Sequence, residues 1–307
     1  MTSSFTASAP GSLMLLGEHA VLHGHPALVC AVNRRISVCL SPRQDDVVTI
    51  RSNLGELTSR LADLQVKEPF RFVTAAVLRK RNLLKTGFDL KIESEFSHQV
   101  GLGSSAAVTV ATLGALAAWA GRPPQPEHLL EDGVAVIRET QGVGSGADAA
   151  ASIYGGIVFY RAQPIKARKL GNTCPITVLY SGSKRPTPEV VRIVEQSRKA
   201  SPMLFDAIFT LMGRSAEEAA AAIEVKNWQR AGEILSINHG LMDAIGVSTA
   251  RLCEMAYALR SDPAVFGSKI SGSGLGDCVI GLGRANRTDW PYEMLPLEIT
   301  TAGVKLE

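Results

Sequence analysis

The segment Gly101–Ala107, GLGSSAA, runs directly into the apolar stretch Val108–Ala118. Glycines let the backbone approach a ligand closely, and the free N–H groups and dipole at the start of the following helix favour an anion. This pattern points to a phosphate cradle. It is neither the GxGxxG of dinucleotide folds nor the GxxxxGK[ST] of P-loop enzymes, since no Lys follows the glycines. The alternative is a Gly-Ser turn that only caps a core helix through Ser104 or Ser105. Chemistry at a bound phosphate also calls for a proton acceptor. Asp148 follows Gly144, Ser145 and Gly146, with alanines around it and no neighbouring cation. A carboxylate on so tight a turn can point into a cleft; the alternative is an Asp that caps the short helix Ala149–Ile153.

Two further blocks have the glycine content of tight backbone near a ligand: Ser8–Gly24, SAPGSLMLLGEHAVLHG, and Lys269–Gly283, KISGSGLGDCVIGLG. With GLGSSAA between them, the three blocks resemble the GHMP kinase superfamily (galacto-, homoserine, mevalonate and phosphomevalonate kinases), in the family's order and over nearly the whole chain. Within it, Glu18-His19-Ala20-Val21 and Gly24 are most similar to mevalonate kinases. Gly142–Gly156, GVGSGADAAASIYGG, and the Gly276-Asp277-Cys278 ending look closer to phosphomevalonate kinases.

The resemblance implies roles residue by residue. ATP would lie on Gly101, Leu102, Gly103, Ser104, Ser105 and Ala106. Asp148 would accept the proton of the substrate hydroxyl. Mg²⁺ would be held by Ser105 and by a Glu on the preceding helix, here Glu139, which stands two residues nearer to Asp148 than mevalonate kinases place it; a solvated helix-end Glu is the alternative. Glu18 and His19 would lie beside the acceptor, and Gly272, Ser273 and Gly274 would pack under substrate and phosphates. Asp277 reads as a turn former or a residue behind the site, Cys278 as core, and Asn53 and Lys85 stand where base contacts would fall. The implied reaction is ATP-dependent phosphorylation of the 5-hydroxyl of mevalonate. The alternatives are phosphomevalonate, another small alcohol or sugar, or a non-catalytic ligand-binding homologue.

One departure is chemical. Mevalonate kinases read APGK in the first block, whereas this chain reads Ala9-Pro10-Gly11-Ser12. A Ser supplies no positive charge to the developing phosphoryl oxygens. Ser12 therefore stands at a catalytic position without the expected ammonium. Three readings stay open: Asp148 and Mg²⁺ suffice, Lys184 or Arg185 enters the site from elsewhere, or the substrate differs.

The rest of the 307 residues must position these groups. With 46% hydrophobic and 20% charged residues the chain can bury one large core or two modest ones. β-rich runs occur at Ala27–Leu40, Val47–Arg51, Phe88–Ile92, Ile153–Arg161, Ile176–Tyr180 and Cys278–Leu282, with a short strand at Leu13–Leu16. Helical patterns occupy Pro69–Asn82, Ala106–Trp119, Pro126–Thr140, Pro188–Lys199, Pro202–Ile223, Trp228–Ile245 and Ser248–Arg260. The layout is α+β. It divides into a strand-rich N-terminal nucleotide lobe, 1–165, and a helix-rich C-terminal lobe, 166–307, and the resemblance implies an active site in the cleft between them. A net charge of +3 without basic clusters argues against nucleic acid. No apolar run reaches the roughly 20 residues a bilayer needs, so no membrane partner is expected. Five cysteines without CxxC spacing suit reduced thiols in the cytoplasm. The remaining partners would be ATP and a small molecule, with a homodimer left open.

Overall fold

The computed structural model describes residues 4–122 and 125–306. Among them the elements run, in chain order, β1 (Phe5–Leu16), β2 (Ala27–Pro42), β3 (Val47–Ser52), β4 (Gly55–Arg60), α1 (Arg71–Arg79), β5 (Phe88–Ser94), α2 (Ser104–Trp119), α3 (Pro126–Gln141), α4 (Ala147–Tyr154), β6 (Ile157–Ala162) and β7 (Ile165–Lys169). The second half continues with β8 (Ile176–Tyr180), α5 (Thr187–Ala200), α6 (Pro202–Glu224), α7 (Trp228–Ala244), α8 (Ala250–Arg260), β9 (Gly267–Ser271), β10 (Cys278–Leu282), β11 (Glu293–Leu295) and β12 (Lys305–Leu306).

Strands β1 to β7 and β12 form one sheet. Its main path is β12-β1-β2-β5-β3-β4, and β6 pairs with the first part of β2. Strands β11-β8-β10-β9 form a second, antiparallel sheet. The change of sheet falls in the connection after Lys169, so a division at 165/166 would cut β7. The chain also returns at its end, where β12 pairs with β1.

β1 is the element on which the site is built. It carries side chains into two cores: Ala7, Ala9 and Met14 join the one shared with α1 to α4, and Leu13 and Leu15 the one shared with α6, α7 and the second sheet. A strand covered on both faces reads as a continuous apolar run rather than an alternation. That explains why Leu13–Leu16 is evident in sequence and the weaker first half of β1 is not. Helices α2 and α4 pack directly on β1 and β2. α2 is buried on nearly every side, with Ala106, Ala107, Val110, Ala111, Leu113 and Leu116 closed to solvent, so its sequence is apolar all round. Ile153 and Tyr154, expected at the start of a strand, instead close α4, and β6 begins at Ile157 beyond Gly155 and Gly156. Both glycines have positive φ, which the sharp exit requires.

Candidate active site

β1 approaches the glycine-rich loop at a bulge. Its register with β2 shifts between Pro10 and Ser12, and the Ser12 N–H donates to the Leu102 carbonyl at 3.0 Å. Gly11 permits this approach, since a Cβ there would lie 2.8 Å from the Leu102 oxygen. The bulge aims the Ser12 hydroxyl at Asp148, to whose Oδ1 it donates at 2.7 Å. α4 is tied to the same strand by Ser152 Oγ, which donates to the Pro10 carbonyl at 2.8 Å. Strand, loop and helix thus meet at one carboxylate.

Gly103 precedes α2 with φ of 63°. A Cβ on Gly103 would fall 2.1 Å from Ser12 Oγ and 3.4 Å from the Asp148 carboxyl carbon. We expect Gly103→Ala to cost about 1–2 kcal/mol from left-handed backbone strain alone. It also displaces Ser12 from Asp148, so nucleotide titration and thermal unfolding should both register the change; wild-type values in both would contradict this packing.

Gly101, Gly103, Ser104 and Ser105 line an inner cavity of about 150 Å³ together with Glu18, His19, Ser145, Asp148, Lys184, Gly272, Ser273 and Asp277. Ser104, Ser105, Lys184 and Thr187 also border an adjoining groove of about 730 Å³, a size typical of small-molecule sites. Phe70, Ile92, Phe96 and Val108 give the groove an apolar wall. Asn53 lies on this groove, whereas Lys85 does not line it. Leu102 and Ala106 do not face the cavity. Leu102 is 2% exposed and turned into the core, and Ala106 is buried in α2.

The electrostatics separate the ionisable groups. Burial raises the Asp148 pKa above the ordinary carboxylate value, with the Ser12 hydrogen bond and Lys184 opposing and Glu18 reinforcing the shift. Burial pushes the Asp277 carboxyl up to about 6. His19 is lowered to about 4 by burial, so its ring is neutral at pH 7. Its Nε2 lies 2.8 Å from the Ser273 carbonyl. A carbonyl only accepts, so Nε2 carries the proton and Nδ1 does not. His19 itself has φ of 60° at the turn leading into the 3₁₀ segment Ala20–His23.

Beneath the cavity, Lys269 of β9 is fully buried and donates to Glu18 and to the Ile270 carbonyl. Burial lowers the Lys269 pKa, and Glu18 works against the shift. The pair joins the turn after β1, which carries His19, to β9, which leads into the loop carrying Ser273. Gly272 lines the cavity; Gly274 is packed behind it, where a Cβ would lie 2.5 Å from the Val247 carbonyl.

Glu139 corrects the sequence expectation. It is exposed, lies 3.3 Å from the Arg79 guanidinium, and is not among the residues lining the cavity. The buried face of α3 comprises Leu129, Leu130, Gly133, Val134, Val136 and Ile137, and Ile137 packs against Gly144. Two residues further along, a side chain is rotated by about 200°. The position that mevalonate-kinase spacing assigns to the acid is therefore occupied by Ile137. Lys184, by contrast, is a cation that reaches the site from outside the three blocks. It borders both cavity and groove, and its Nζ donates to the His98 carbonyl at 3.0 Å. Arg185 lies 3.7 Å from Glu189 and lines neither.

Comparison with known proteins agrees with this architecture. Residues 69–156 match the family described as GHMP kinases N terminal domain, and residues 216–288 match GHMP kinases C terminal. Residues 2–42 match a galactokinase galactose-binding signature. A mevalonate kinase of Archaeoglobus fulgidus is 36% identical over 302 residues, covering 98% of this chain and 99% of the relative. One from Thermococcus gammatolerans is 33% identical over 299 residues, covering 90% and 88%. The crystal structure of Methanococcus jannaschii mevalonate kinase superposes with a TM-score of 0.79 at 25% identity, covering 97% of this chain and 98% of that one. The fold and these relatives make the chain a small-molecule kinase that uses ATP. It belongs to the GHMP kinase family. Among the described residues no helix is long and apolar enough to cross a membrane.

Proposed function

We propose that the chain transfers the γ-phosphoryl group of ATP to the 5-hydroxyl of mevalonate, with Asp148 as proton acceptor. The observation that carries the mechanism is the position of Asp148, held by Ser12 at the meeting of the phosphate loop and the acceptor side of the cavity. Relatives named mevalonate kinase, at 33% and 36% identity over most of the chain, support the choice of acceptor.

The adjoining groove receives the nucleotide, and the N–H groups that open α2 receive its phosphates. The acceptor enters beside His19 and Ser273, where the Nε2–H of His19 is committed to the Ser273 carbonyl and the ring stays neutral. Ser12 occupies Oδ1 of Asp148, which leaves Oδ2 to take the proton of the attacking hydroxyl. Burial makes the carboxylate a stronger base than a solvated Asp, which favours that transfer near neutral pH. Lys184 supplies the positive charge that Ser12 does not. We expect Lys184→Met to lower kcat/KM about tenfold, less than a water-excluded donor would cost, because Lys184 is exposed before substrates bind. An unchanged kcat/KM would leave Asp148 and the metal to suffice without it.

Hard oxygen donors on this cavity, the Ser105 hydroxyl and the Asp277 carboxyl, suit Mg²⁺. Bound with ATP, the ion would neutralise charge on the phosphate oxygens.

A phosphorylated acceptor is disfavoured by charge. The inner cavity is lined by Glu18, Asp148 and Asp277 against Lys184, with His19 neutral. A second phosphate would call for further Arg or Lys there. Calorimetric titration of (R)-mevalonate and 5-phosphomevalonate into the protein saturated with a non-hydrolysable ATP analogue tests this choice. Tighter binding of mevalonate supports the proposal, and tighter binding of phosphomevalonate reverses it. We place the enzyme in the cytoplasm, a setting that suits its five free cysteines.

A further inference from the structure

Asp277 is an acid of the inner cavity to which the proton transfer above assigns no role. It lies in the turn between β9 and β10 with φ of 65°. Its backbone is pinned on both sides: its N–H donates to the Ser183 carbonyl at 2.8 Å, and its carbonyl accepts from the Ser181 N–H at 3.0 Å. The fixed backbone delivers the side chain against the phosphate loop. A Cβ on Gly101 would lie 2.7 Å from Oδ1, and one on Gly272 would lie 3.4 Å from Oδ2. Asp277 is only 5% exposed, lines the cavity, and its Oδ1 has no hydrogen-bond partner.

A loop built to attract phosphate with its backbone N–H groups gains nothing from a buried carboxylate in contact with it. Two anions at such range repel strongly where water is excluded. An orphaned buried carboxylate oxygen is itself costly unless a partner satisfies it when the site fills. The acid expected from α3 is absent from the cavity lining, since Ile137 packs against Gly144 and Glu139 lies outward beside Arg79.

We propose that Asp277 is a ligand of the nucleotide-bound Mg²⁺, its unpartnered Oδ1 serving with the Ser105 hydroxyl in place of an acid from α3. This rests on the kinase reading above. It assigns the residue before Cys278 a binding role rather than that of a turn former alone. Lys184, which borders the same cavity, opposes the burial that raises the Asp277 pKa.

The test uses the full-length protein, Mn²⁺ as the metal probe and a non-hydrolysable ATP analogue. Nucleotide affinity is measured by calorimetry with and without metal, and bound Mn²⁺ is followed by electron paramagnetic resonance. Asp277→Asn keeps the side-chain shape and a residue type that tolerates the left-handed backbone. It should abolish most of the metal-dependent tightening, a loss of about tenfold or more in Mn²⁺ affinity. Metal-free nucleotide affinity should be unchanged or higher. Asp277→Gly, which suits the same φ, should behave alike and serves if the Asn variant does not fold. Glu139→Gln should retain wild-type metal affinity. Metal-dependent tightening that survives in both Asp277 variants, or that disappears instead in Glu139→Gln, overturns the assignment while leaving the kinase reading intact. A wild-type protein that binds no nucleotide under either condition would sink the kinase reading, and this assignment with it.

Discussion

Asp148→Asn should lower kcat by a factor of about 10² to 10⁴ while leaving nucleotide binding close to wild type. The amide keeps the volume and the Oδ1 acceptor for Ser12, so the local packing of β1, the glycine loop and α4 survives. What it removes is the ability to take a proton. The wild-type pH profile should carry the signature of the same group. The base works only when deprotonated, and burial raises its pKa, so activity should be lost on acidification at a higher pH than for a solvated Asp. That acid limb should vanish from the residual activity of Asp148→Asn. Coupled ADP release across pH measures both effects. A variant that keeps more than about a tenth of wild-type kcat would remove Asp148 from the role of proton acceptor.

Lys269→Met should destabilise the protein by about 3–5 kcal/mol, because it strands Glu18 as a buried, uncompensated carboxylate. Both side chains are closed to solvent, at 0% and 2% exposure, so water cannot substitute for the lost partner. The double variant Glu18→Gln with Lys269→Met removes both charges and should recover most of the loss. Urea unfolding of the four proteins completes the cycle. If the single Lys269→Met variant loses less than about 1 kcal/mol, within the range of a surface pair, Lys269 and Glu18 are not coupled as drawn. The pair also sets the spacing between His19 and Ser273, so the recovered double variant should bind the acceptor less tightly than wild type.

What was legible in the sequence, and what was not, divides along physical lines. Glycines at 101 and 103 mark a loop whose backbone can approach a ligand closely, and both residues adopt positive φ. β8 and β10 have the bounds expected from their apolar runs, because a strand bracketed by Gly, Pro or Ser has nowhere to extend. β4, GELTSR, is an exposed edge strand whose alternation is almost wholly polar, and β9, GSKIS, holds a Lys where a core strand is expected to be apolar. That Lys is tolerated because Glu18, 251 positions away, meets it. No local pattern encodes such a pair. Glu139 failed for a different reason. Spacing along a sequence locates a residue to within a turn, whereas two residues of helix decide which face it occupies. Asp277 reads as a turn former, which its φ bears out, but its orphaned oxygen depends on the glycine loop brought against it from 176 positions away. Ser12 was visible only as a missing Lys. Its hydrogen bond to Asp148 gives the position a use in the proposed mechanism: it orients the carboxylate, and the proposal draws the positive charge from Lys184.

The most direct measurement is ADP release from Mg·ATP with (R)-mevalonate, 5-phosphomevalonate, galactose, homoserine or no acceptor present. The account predicts turnover with mevalonate well above the rate without acceptor, and far less with the other three. Turnover confined to phosphomevalonate or galactose would contradict the assignment of the acceptor. Tight ATP binding with no acceptor-dependent ADP release would contradict the catalytic roles given to Asp148 and Lys184.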